Sequence, residues 1–206
     1  MFVFIKLPAG SNYLHSLNQE VINNTFPILP DLNLIVHPNT HPSMKEAETK
    51  SIQQVLDAWL QQIKMTSGLL DSLSDDQLSL AIAPRRNTGK YLLGHLIAVH
   101  DALLPLLNLG EKLYPELEEI FIHQPDNDAV VKPSIPFLRE AWQKVHLELN
   151  SKLAAFQTEE WLSRHQAVSE ADFLLAPHRN KLNVILNRTC HLSYHAGQLI
   201  LLSGNL

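Results

Sequence analysis

Residues 187–202 read NRTCHLSYHAGQLILL. They continue a helix that is expected to begin near Asn180 and to end at about Ser203. Four residues rotate by about 400° on an α-helix, so His191 and His195 share a face, one turn apart and offset by about 40°. Both imidazoles can then reach one ion, and neutral imidazole is the commonest metal ligand in such a setting. The inner stripe of this helix runs Val184, Asn187 or Arg188, His191, His195, Gln198 and Leu202. Polar groups at core spacing need partners, because an unpaired buried polar group is costly. A metal with hydrogen-bonded neighbours supplies them. A hydrogen-bonded polar seam does too, and the pattern alone does not separate the two readings.

Spacing is a weak signal by itself. With 11 histidines in 206 residues, roughly half of one such pair is expected by chance. His37 and His41 have the same spacing, but Pro38 and Pro42 break the helix that would align them. They read as loop residues. A third ligand has to come from another helix, and His95 lies in the middle of LLGHLIAVHD (residues 92–101). Leu92, Leu96 and Val99 are its apolar neighbours, so it points with a core stripe. A lone histidine in that position is more often a hydrogen-bonded core residue than a ligand. His100 is rotated by about 140° from His95 and is expected to face solvent or to make surface hydrogen bonds.

Three further helices precede the last one. The first runs from about Glu46 to Leu73, with Ile52, Leu56, Trp59, Leu60, Ile63, Leu69, Leu70 and Leu73 as its stripe. Ser74 opens a short extra turn that Pro84 ends. Thr88 caps the second helix, which should stop at Gly110 with a kink or early end at Pro105. The third runs from about Ser134 to Phe156, with Pro136 in its first turn. Residues 111–133 and 157–179 are long connections, the second anchored by Trp161 and Phe173. The expected fold is all-α, an antiparallel four-helix bundle with long connections after helices two and three.

Residues 1–43 differ in character. Five prolines, several asparagines and no sustained helical period make them an irregular N-terminal extension or arm, with the bundle in 44–206. Met44 could equally be the native start. The whole chain has 16 basic and 21 acidic residues and a net charge of −5. No Lys/Arg block follows a phosphate backbone, which argues against nucleic acid as a partner. No apolar run reaches membrane-spanning length, and Met1–Leu7 lacks the features of a secretory signal. A single cysteine, Cys190, fits a reducing compartment, and a cytoplasmic location is the expectation.

The segment HLSYHAGQL (191–199) resembles the C-terminal signature of the DinB-like (YfiT-like) superfamily, written loosely H-x-x-x-H-x-G-Q. RNTGKYLLGHL (86–96) is similar to the start of that family's second helix. The resemblance covers about 44–206 and implies a four-helix bundle. It also implies one divalent metal ion, zinc or nickel, on His95, His191 and His195. Gln198 would support a ligand from behind or make a structural hydrogen bond, and Gly197 would allow a close helix approach. Homodimers are common in the family.

Three protein ligands leave a coordination position open, the pattern of catalytic sites. A metalloprotease would need Glu after the first histidine, and that position is Leu192. The family includes thiol-dependent S-transferases that use low-molecular-weight thiols, and thiol chemistry needs no dedicated carboxylate base. A non-catalytic metal- or small-molecule-binding bundle is the alternative. Cys190 points about 100° from His191 and reads as a buried structural residue. Arg85, Arg86, Arg179 and Arg188 could bind an anionic substrate, or they could be solvated surface residues.

Overall fold

The computed structural model describes residues 43–204. The expected arm lies outside the described residues apart from Ser43, as do His37 and His41. Ser43 caps α1 (Met44–Ser72) in a reciprocal box with Glu46. Ser74 and Gln77 repeat that device for α2 (Asp75–Ser79). Each box satisfies two of the amide donors that a helix start leaves without partners. Thr88 accepts from the Tyr91 amide and opens α3 (Gly89–Asp101). The helix breaks at Ala102 and resumes as the single turn α4 (Leu103–Leu106). Pro105 has no N–H to give to the carbonyl four residues back and crowds it, so regular α-helix ends well before Gly110.

The connection that follows is not featureless. It holds α5 (Glu116–Glu118) and a π-helical turn at Glu119–His123. Ser134 caps α6 (Ile135–Leu153), with proline in the first turn. α7 (Thr158–Trp161) and α8 (Glu170–Leu175) are short. Asn180 caps α9 (Lys181–Leu199), which tightens into a 3₁₀ turn at Ile200–Ser203. The described residues are all-α, with two isolated β-bridges and no strand.

α1 packs on α9, and α3 packs on both α6 and α9. The shared core takes Trp59 and Leu70 from α1, Leu93, Leu96 and Ile97 from α3, Leu138, Val145 and Leu149 from α6, and Ile185, Leu192 and Leu199 from α9. α3 is buried almost all round, which decides where its polar residues end up. Its glycines permit this: a Cβ on Gly94 would sit 2.4 Å from the Phe121 ring, and one on Gly89 would sit 2.5 Å from Leu202.

Four expectations need correction. The inner stripe of α9 is Lys181, Ile185, Leu192 and Leu199. The expected stripe through His191, His195 and Gln198 is half-buried and borders the core. Gly197 is exposed, and among the described residues nothing lies within 4 Å of where a Cβ would sit; the close approaches are made at Gly94 and Gly89 instead. Cys190 is exposed, because it lies on the outer side of that rotated helix. Leu60, expected in the α1 stripe, is 45% exposed.

Candidate metal centre

α3 and α9 bring His95, His191 and His195 together. One ring nitrogen from each lies within 4.8 Å of the others. His191 Nε2 is 3.3 Å from His95 Nε2 and 3.1 Å from His195 Nε2. For comparison, two nitrogens bound tetrahedrally to one zinc stand about 3.3 Å apart. All three residues are half-buried.

The groups behind the rings fix their protons. His95 Nδ1 lies 2.9 Å from the Phe121 carbonyl oxygen. A carbonyl can only accept, so Nδ1 carries the proton and Nε2 presents a lone pair. His195 Nδ1 lies 2.7 Å from Gln198 Oε1, with the same consequence. Two bare nitrogens therefore face His191 Nε2. One N–H on His191 Nε2 could donate to only one of them and would leave the other lone pair without a donor in the cluster. Within the cluster's own hydrogen bonds the polar-seam reading does not balance. A cation at the common point resolves all three lone pairs, and His191 then carries its proton on Nδ1. That atom is buried without a hydrogen-bond partner.

Electrostatics favour the deprotonated rings. Burial pushes His191 down to about 3, aided by its neighbours His195 and His95 and by Arg188. Burial also lowers His95, and Arg188 adds to that against the opposing hydrogen bond to Phe121. His195 is lowered by burial and by His95, with Gln198 acting the other way. A metal ion would meet little competition from protons at neutral pH. No carboxylate contributes to the field on any of the three rings among the described residues. Leu192, where a metalloprotease needs its Glu, is fully buried in the core.

The support behind His95 comes from residues 111–133, expected only as a long connection. The π-helical turn presents the Phe121 carbonyl to His95 and the Phe121 ring to Gly94. π-turns often mark functional positions. Tyr91 stacks over His95, with its ring 7° from parallel, and donates its hydroxyl to the Gln124 carbonyl at 2.7 Å. A carbonyl acceptor has no residue-type signature, so only the glycine before His95 hinted at the close approach.

His100 is a further correction. It is fully buried, not at the surface. His100 Nδ1 lies 2.8 Å from His146 Nε2, and His146 Nδ1 lies 2.8 Å from the Trp142 carbonyl. The carbonyl sets the protons along this chain, so His100 Nε2 is left as a bare acceptor, buried and unpartnered. Of the four arginines, Arg85, Arg86 and Arg179 are exposed and fit the solvated reading. Arg188 is half-buried, three residues before His191 on α9.

With this geometry in place, comparison with known proteins settles the class. The family model of the DinB superfamily matches residues 58–199, and the chain belongs to that superfamily. The match spans both α3 and α9, and so all three histidines. No curated protein matches the chain.

Proposed function

We propose that this chain is a metal-dependent enzyme with thiol S-transferase-type chemistry, and that His95, His191 and His195 hold one divalent ion, zinc or nickel. The observation that carries the reading is the convergence of three Nε2 atoms, two of them with their protons held on Nδ1 by Phe121 and Gln198. Three neutral ligands leave a coordination position for a small molecule. When bound, the ion supplies Lewis acidity that makes a coordinated thiol a thiolate. The residues around it keep the rings oriented and unprotonated. The lack of a neighbouring carboxylate suits a thiol nucleophile, which needs no general base, better than hydrolysis.

The same reading takes α1, α3, α6 and α9 as an antiparallel four-helix bundle in residues 44–206. It takes 1–43 as an arm, a low-molecular-weight thiol and an electrophile as substrates, and a homodimer as the assembly. The test is a transfer screen of metal-loaded protein with several low-molecular-weight thiols and an electrophilic acceptor, against chelated protein. Turnover is expected with at least one thiol and should vanish in H191A. Metal-bound protein that turns over none of them would favour the non-catalytic, ligand-binding alternative.

A further inference from the structure

We propose that Arg188 anchors a carboxylate of the small-molecule ligand beside the three-histidine centre, so that the site selects anionic substrates. This inference rests on the metal reading above and adds the substrate class to it.

Arg188 lies three residues before His191 on α9, which places both side chains within about 60° on the same side of the helix. The residue is half-buried, and burial lowers its affinity for its proton. Its charge is felt at His95, His191 and His100 but is not among the influences on His195. Its Nε is buried without a hydrogen-bond partner. The other half-buried arginine is satisfied: Arg139 donates to the carbonyls of Leu70 and Leu73 and to Asp75. Among the described residues no carboxylate or carbonyl accepts from Arg188.

Charge accounting gives the ligand its sign. Three neutral imidazoles cancel none of a divalent ion's charge, and Arg188 adds another positive charge that guanidinium chemistry never gives up. No acidic side chain among the described residues offsets either. A thiolate at the centre and a carboxylate on the guanidinium would neutralise most of this charge. The planar fork of Arg188 suits a carboxylate in a bidentate pose.

The carboxylate could be carried by the thiol or by the electrophile, and one experiment separates these sources. Cobalt(II)-loaded protein is titrated with 3-mercaptopropionate and with 2-mercaptoethanol, following the sulfur-to-cobalt charge-transfer band. Butyrate is then added to the mercaptoethanol complex. If the thiol carries the charge, wild-type protein prefers 3-mercaptopropionate by about tenfold. R188Q brings that ratio close to one, and R188K keeps part of it. If the electrophile carries it, the two thiols bind alike and butyrate shifts the spectrum in wild type but not in R188Q. Equal thiol affinities with no butyrate response in wild type, or an unchanged preference in R188Q, would overturn the role of Arg188 alone. Failure to take up cobalt would overturn the metal reading and this inference with it. Far-ultraviolet melting of both variants separates a binding defect from a folding one.

Discussion

His100 shows what a helical wheel can and cannot say about a residue. Rotation of about 140° from His95 placed it off that stripe correctly. The inference to solvent failed because α3 is buried on nearly every side, and a wheel gives direction without counting neighbours. His100 instead pairs with His146 in the core, within ring-contact distance of Trp59 and Trp142. Burial holds His146 at about 4 and His100 well below its ordinary value, the latter helped by the nearby His146 and Arg188. Below about pH 6.5 the unfolded chain binds protons at these positions that the folded chain refuses. Their contribution to stability is therefore intact above about 6.5 and declines as pH falls towards 4. His146 alone accounts for on the order of 3 kcal/mol across that window. Urea denaturation of wild type and H146Q from pH 7 to 4.5 checks this. The variant should lose stability with acid less steeply, by the equivalent of about one proton. Parallel slopes would show that His146 does not titrate as its burial dictates. The clustering of three histidines was more legible: His191 and His195 from spacing and signature, His95 from its apolar stripe and the family resemblance.

At the level of elements, helix starts were the easiest features to read. Thr88, Ser134 and Asn180 all cap as their residue types suggest, because a cap is a local side-chain-to-backbone bond. Harder to read was the connection between α4 and α6. Its short helical pieces carry too few residues for a period, and its main contribution is a backbone carbonyl. Within it, Asp126 accepts from both the amide and the hydroxyl of Thr88, at 2.6 and 2.8 Å. It also pairs with Lys132 at 2.9 Å, with both side chains largely shielded. These bonds tie the connection to the start of α3 and so help hold the Phe121 carbonyl against His95. D126A should lower stability by about 2 kcal/mol, the worth of charge-assisted hydrogen bonds to a shielded carboxylate. It should also weaken metal binding. Chemical denaturation and a chelator competition measure the two effects, and unchanged values in both would show that the tie is idle. The face of α9 was misjudged for a related reason. The polar stripe and the leucine stripe lie about 100° apart at His191 and Leu192, and both have helical spacing. Burial of apolar area assigns the interior to Leu192.

For the whole molecule, the all-α class follows from sequence periods alone, and the described residues agree with it. Among the described residues no helix is long and apolar enough to cross a membrane. The candidate site lies where α3 meets α9: three ring nitrogens converge there, Phe121 and Gln198 stand behind two of the rings, and among the described residues no carboxylate acts on them. If that centre holds an ion, folding and metal binding are linked, and stability rises with free metal by about 4 kcal/mol at a thousand times the dissociation constant. The most direct test is metal analysis of tag-free protein, wild type and H191A, with thermal melting of each before and after chelation. The account predicts close to one divalent ion per wild-type chain, a lower melting temperature once it is removed, and loss of most of the metal in H191A. Substoichiometric metal in both proteins, with melting indifferent to the chelator, would contradict it.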